Sequence, residues 1–128
     1  AIVLCDRFTM STIAYQGYGR GLDIAMIQTL NTIATLGLVP DLTIWLDLDP
    51  AVGIQRVHDR GIINRMDRES LEFHRRVHQG YSSVAAESAQ RGDPVLRIDA
   101  SASVNAITCD VQAAILALVN AKNPVSRF

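Results

Sequence analysis

Three stretches of this chain put charged side chains where an apolar run stops. Asp6-Arg7 follows Ile2-Val3-Leu4-Cys5, Asp47-x-Asp49 closes the stretch from Leu42, and Asp99-Ala100 follows Val95 to Ile98. A carboxylate beside a guanidinium suits orientation of metal-bound water and two-pronged capture of a phosphate. The bland alternative is that Asp6 caps a helix and Arg7 pairs with it. A second feature is an arginine cluster. Arg56, Arg60, Arg65, Arg68, Arg75 and Arg76 fall within residues 56–76, accompanied by Asp59, Asp67, Glu69 and Glu72. Pairs four apart, Arg68–Glu72 and Glu72–Arg76, explain the later members as a solvated helix face. They do not explain Arg60 and Arg65, which flank Gly61-Ile62-Ile63-Asn64 in an expected loop. Arginines on such a loop suit phosphoryl transfer, in which charge develops on equatorial oxygens and water must be excluded. The only lysine is Lys122, so a strand, glycine-rich loop and lysine cradle for phosphates cannot be built from these residues.

Other groupings carry less. Gly17-x-Gly19-x-Gly21 follows a helix rather than a strand and lacks a lysine, which argues against a nucleotide phosphate loop. His74 and His78 are four apart, but no third ligand has metal-type spacing. Cys5 and Cys109 lie 104 positions apart and read as free, reduced thiols of a cytosolic protein. No Ser/His/Asp arrangement stands out.

The elements that must hold these residues follow from periodicity. Residues 2–5 read as a strand buried on both faces, 9–16 as a short helix, and Gly17 to Gly21 as a loop. Asp23 opens a helix whose Ile24, Ile27, Leu30, Ile33 and Ala34 recur at helical spacing, stopped by Gly37. Leu42 to Leu48 is a strand. Asp49-Pro50 caps a helix running to about Asp59. A long helix from about Asp67 to Gln90 carries Met66, Phe73, Val77 and Val84 as its apolar stripe. Val95 to Ile98 is a third strand, and Val104 to Val119 a closing helix. This alternation predicts one α/β domain with a parallel sheet of three strands, which looks incomplete at its front.

Composition agrees with a folded globular protein. The 128 residues are 48% hydrophobic and 20% charged, with a net charge of -1, which does not suit general binding to nucleic acid or anionic membranes. The best apolar run, Ala113 to Val119, is too short to span a bilayer, and no secretory signal is visible at Ala1 to Cys5.

Taken in order, the motifs resemble one family. Asp6-Arg7-Phe8, then Ser11-Thr12-Ile13-Ala14-Tyr15-Gln16-Gly17-x-Gly19-Arg20-Gly21, is similar to a segment of bacterial thymidylate kinases. So are Pro40-Asp41-Leu42-Thr43 leading to Leu46-Asp47-x-Asp49-Pro50, and Arg60-Gly61-x-x-Asn64-Arg65-x-Asp67-x-Glu69-Ser70-x-x-Phe73 as a lid with its following helix. Arg76-Val77-x-x-Gly80-Tyr81 and Ile98-Asp99-Ala100 complete the series. The resemblance implies a P-loop NTPase-type parallel sheet flanked by helices, here a single partial nucleoside monophosphate kinase domain over residues 1–128 with a lid-like segment at 60–67. It also implies that the central first strand, the phosphate loop and the first helix of the family lie outside this chain. The implied activity is phosphoryl transfer from ATP·Mg2+ to dTMP in dTTP biosynthesis, by a cytoplasmic homodimer. This chain alone is then expected to be inactive.

Residue by residue, the resemblance implies that Arg7 holds the 5′-phosphate of dTMP while Asp6 orients it and the magnesium-bound water. Ser11 and Thr12 would lie near the thymine edge, and Tyr15 with Gln16 would disfavour a ribose 2′-hydroxyl. Arg65, with Arg60 as second candidate, would be the lid arginine at the transferring phosphoryl group. Arg76 and Tyr81 would face the acceptor nucleotide, and the loop after Asp99-Ala100 would pass the adenine of ATP. A non-catalytic nucleotide- or phosphate-binding module, or an inactive kinase fragment, is the alternative that the missing lysine favours. Another nucleoside monophosphate kinase fits the architecture but not Tyr15-Gln16.

Overall fold

A computed structural model describes residues 1–61 and 68–122. The first described helix, α1 (Thr9–Thr12), runs directly into a π-helical stretch, Ile13–Gly19. Its wider winding shows in the Arg20 N–H, which donates to the Tyr15 carbonyl five residues back at 3.0 Å. Then come α2 (Ile24–Thr35), β1 (Thr43–Asp47), α3 (Pro50–Arg60), α4 (Leu71–Arg91), β2 (Val95–Asp99) and α5 (Val104–Lys122). Three helix starts are written in side chains. The carboxylates of Asp23 and Asp49 and the hydroxyl of Ser70 accept from the first-turn N–H groups of Met26, Ala51 and Phe73. Pro50 sits in the first turn of α3, where its missing N–H costs nothing.

The sheet is parallel, with Thr43 to Asp47 in register with Val95 to Asp99. Among the described residues it has two strands, not the expected three. Ile2, Val3 and Leu4 are 68%, 86% and 81% exposed and form no strand. Their composition suits a strand, but a ladder needs a neighbour, and the described residues offer none.

The core clusters lie among α4, the π-helical stretch and α2, with Trp45 and Ile98 of the sheet also buried. Ile13, Ile27 and Val84 form one cluster; Ala14, Phe73 and Val77 form the other. Three members of the apolar stripe expected on α4 are buried there, whereas Met66 lies outside the described residues. The expected glycine loop is different. The helix continues through Gly17 and Gly19, both buried. A Cβ on Gly19 would meet Phe73 at 2.8 Å and Val77 at 2.9 Å, and one on Gly17 would meet Ile24 at 3.0 Å. These two glycines therefore permit close packing of helices, and only Gly21, at φ +75°, takes the left-handed turn. Among the described helices, α5 is long and apolar enough to cross a membrane by length and composition, at a mean hydropathy of 1.4.

Candidate functional site

The helical spacing that buries Ile13 and Ala14 turns the residues around them the other way. Ser11 and Tyr15 are four apart, as are Thr12 and Gln16, so the pairs form one wall. Opposite stand Asn31 and Thr35 of α2, again four apart. Together with Arg7, Phe8 and Thr9 these side chains enclose an open cleft of about 470 Å³. Five of the expected site residues thus line one cleft: Arg7, Ser11, Thr12, Tyr15 and Gln16.

Arg7 has a backbone φ of +65°, a region that costs a residue with a Cβ about 1 kcal/mol or more. Its guanidinium lies over the Tyr15 ring, 5.1 Å from the centroid. A cation at the mouth, hydroxyls and amides along the walls and an aromatic face suit an anionic ligand that also carries a flat ring.

Tyr81 of α4 reaches this wall from behind. Its hydroxyl and that of Ser11 share a hydrogen bond of 2.7 Å, and its ring meets Tyr15 edge-on at 6.3 Å. Burial raises the Tyr81 phenol above its ordinary pKa of 10.0, partly opposed by the Ser11 hydrogen bond. The phenol is neutral in both folded and unfolded chains below that value. As pH rises past 10.0 the unfolded chain ionises first, so stability falls until the raised folded value is reached. Denaturant midpoints on either side of pH 10.0 should therefore drop more steeply for the native protein than for Tyr81→Phe. The variant should also lose about 1 kcal/mol at neutral pH, because Ser11 loses its partner.

The other expected residues lie elsewhere. Arg76 does not line the cleft. Its Nε and Nη2 donate to the Gly19 carbonyl at 3.2 and 3.0 Å, and Nη1 donates to Glu72 at 3.1 Å. It thereby satisfies a carbonyl at the end of the π-helical stretch. Asp6 is exposed beside Arg7. Asp99 and Ala100 sit at the end of β2. The Asp99 carboxylate accepts from the Ser101 N–H at 2.8 Å, which lowers its pKa, and the Ala100 carbonyl accepts from Arg56 at 2.9 Å. Arg60 is exposed at the end of α3, and Arg65 lies outside the described residues.

Thr9, Asn31 and Thr35 also line the Arg7 cleft, outside the site expected from the sequence. The available signal was on α2, where polar Asn31 and Thr35 continue the i,i+4 row of buried Ile27. A second cleft of about 270 Å³ lies between β1, α3 and α4, and its wall includes Trp45, Asp49, His74, His78 and Tyr81. Tyr15 lines both clefts. For a divalent ion, the described residues gather no set of three His, Cys, Asp or Glu side chains. Asp6 is the carboxylate nearest in sequence to the cleft's cation. One exposed carboxylate suits Mg2+ that arrives with most of its ligands as waters and phosphate oxygens.

Comparison with known proteins bears on this geometry. The thymidylate kinase family model matches residues 1–111. The chain is 51% identical over 115 residues to a thymidylate kinase of Trichodesmium erythraeum, covering 90% of this chain and 49% of that protein. It is 51% identical over 111 residues to one from Nostoc punctiforme, covering 86% of this chain and 51% of the relative. It is 55% identical over 102 residues to one from a Synechococcus strain, covering 80% and 47%. The chain thus spans about half the length of the curated relatives it matches. On these matches the chain belongs to the thymidylate kinase family, whose P-loop NTPase fold accounts for a parallel sheet clothed in helices.

Proposed function

We propose that this chain supplies the acceptor side of a thymidylate kinase, which transfers a phosphoryl group from ATP to dTMP to give dTDP and ADP. The observation that carries this reading is the cleft uniting Arg7, Ser11, Thr12, Tyr15 and Gln16. Arg7 would grip the dTMP phosphate through two nitrogens, as its planar fork allows and an ammonium does not. Ser11, Thr12 and Gln16 supply hydrogen-bonding edges for a base, and Tyr15 packs where a ribose 2′-hydroxyl would crowd it. Mg2+, when bound, neutralises charge on the ATP phosphates, and Asp6 would orient water in its shell. Arg65 or Arg60 would stabilise charge on the transferring group, and the loop after Asp99-Ala100 would lie along adenine. We take the chain as one partial kinase domain with its lid-like segment at 60–67. A cytoplasmic homodimer is part of the same reading, supported by α2, whose Met26, Leu30 and Ile33 are 50%, 56% and 65% exposed.

The test is turnover by the full-length native protein. dTMP should be phosphorylated well ahead of UMP; equal rates would remove the argument from Tyr15. Arg65→Ala should lower kcat by about 10²-fold or more. An unchanged kcat would move that role to Arg60 or Arg68. A second reading, nucleotide binding without transfer by this chain alone, is favoured by Lys122, the only lysine, which forms an ion pair with Asp41. Calorimetry on the 128-residue chain tests that reading against an inactive fragment: dTMP binding without ATP binding favours a binding module, and binding of neither favours a fragment.

A further inference from the structure

Asp47 ends β1 with its carboxylate almost wholly buried, at 8% exposure for the residue. A buried carboxylate is tolerable only when donors surround it. Two side chains converge on it. His78 Nε2 donates to Oδ1 at 2.7 Å, and Arg97 Nε donates to Oδ2 at 2.6 Å. Both partners also flank the same ring. The Arg97 guanidinium lies 5.3 Å from the centroid of Trp45, and the His78 imidazole lies 5.8 Å from it. Trp45 in turn stacks on Tyr81, with centroids 5.8 Å apart and planes 17° from parallel. Tyr81 ends at the Ser11 hydroxyl on the wall of the large cleft.

We propose that Asp47, with His78 and Arg97, is a positioning cluster that fixes the Trp45–Tyr81 stack and thereby sets the Ser11 hydroxyl for the nucleotide base. The inference rests on the acceptor reading of that cleft and deepens it. None of the three lines the Arg7 cleft; they act on it through Trp45 and Tyr81. The physical reason is directional. Stacking alone lets Tyr81 slide over Trp45 at little cost, whereas a hydroxyl useful to a base must be held to a fraction of an ångström. Two charge-assisted contacts to one buried carboxylate, from two side chains that both border the indole, fix the plane on which Tyr81 rests.

The experiment uses the full-length native protein as wild type, His78→Ala, His78→Gln and Asp47→Asn. Near-ultraviolet circular dichroism reads the Trp45–Tyr81 pair, with Trp45→Phe assigning its band. Kinetics read KM for dTMP and for ATP separately from kcat. His78 is partly exposed, so its variants should stay folded even where Asp47→Asn does not. His78→Ala is expected to weaken the aromatic band and raise KM for dTMP roughly five- to tenfold, with KM for ATP and kcat within about twofold. His78→Gln, whose amide can still donate to Asp47, should restore both. A band that survives His78→Ala overturns the proposal, even if Tm falls. So does a lost band with an unchanged KM for dTMP. Should the wild type phosphorylate no dTMP, the kinase reading fails on its own. The cluster is then judged by the band and its return in His78→Gln, and a band that Gln does not restore overturns it.

Discussion

Replacing Arg7 with Ala is expected to lower kcat/KM for dTMP about 10²–10³-fold, equivalent to about 3–4 kcal/mol, with KM for ATP nearly unchanged. The guanidinium is the cation on the cleft wall, and a phosphomonoester dianion held against it would lose two charge-assisted hydrogen bonds at once. Arg7→Lys should recover only part of the loss, because an ammonium offers a point charge in place of a planar fork. Stability should move differently from activity. At φ +65° the backbone strain remains in Arg7→Ala but disappears in Arg7→Gly. Arg7→Gly should therefore unfold at the same temperature as the native protein or higher while phosphorylating dTMP no better than Arg7→Ala. Thermal unfolding and initial rates on the same three samples would check both halves. An Arg7→Gly protein with lower Tm than Arg7→Ala would contradict the strain argument.

The largest structural effect is expected at Gly80. This glycine of α4 is buried where the helix crosses the π-helical stretch. A Cβ there would lie 2.9 Å from the Ala14 Cα and 2.9 Å from both Cβ and Cδ2 of Tyr18. The first of these is backbone, so no rotamer change can clear it. Gly80→Ala should cost about 2–3 kcal/mol by overpacking, outweighing the gain of about 1 kcal/mol that Ala normally brings to a helix. Tm should fall on the order of 10 °C for a domain of this size. Gly21→Ala makes a useful contrast. It meets nothing within 4 Å, and its penalty arises solely from φ +75°. A Gly80→Ala protein as stable as the native one would mean that the two helices can separate at little cost.

The elements were legible wherever one residue type serves one physical purpose. Asp49 followed by Pro50 marked the start of α3, and the β-branched and aromatic run from Thr43 marked β1, because caps and strand formers act locally. Legibility failed where the purpose depends on a distant partner. Gly17 and Gly19 read as turn residues, but they are buried because Ile24, Phe73 and Val77 approach them, and nothing near residue 17 announces Phe73. Ile2, Val3 and Leu4 have strand composition, but composition cannot supply the neighbour that a ladder needs. The cleft was half legible. Ser11, Thr12, Tyr15 and Gln16 were marked by the family resemblance, whereas Asn31 and Thr35 join the cleft only through the angle at which α2 packs. Arg76 shows the limit most plainly. Its type and place suited an anion, but its donors are spent on the Gly19 carbonyl and Glu72.

Tyr15 is a party wall, one ring bounding two clefts. Whatever fills the space between β1, α3 and α4 must settle against a face of the same side chain that borders the Arg7 cleft. If an occupant of either space shifts that ring, it changes affinity in the other by some factor, and equilibrium linkage requires the reverse effect to be equal. With such a shift the two spaces become thermodynamically one system, in which cooperativity between occupants, of either sign, is carried by a single phenol ring.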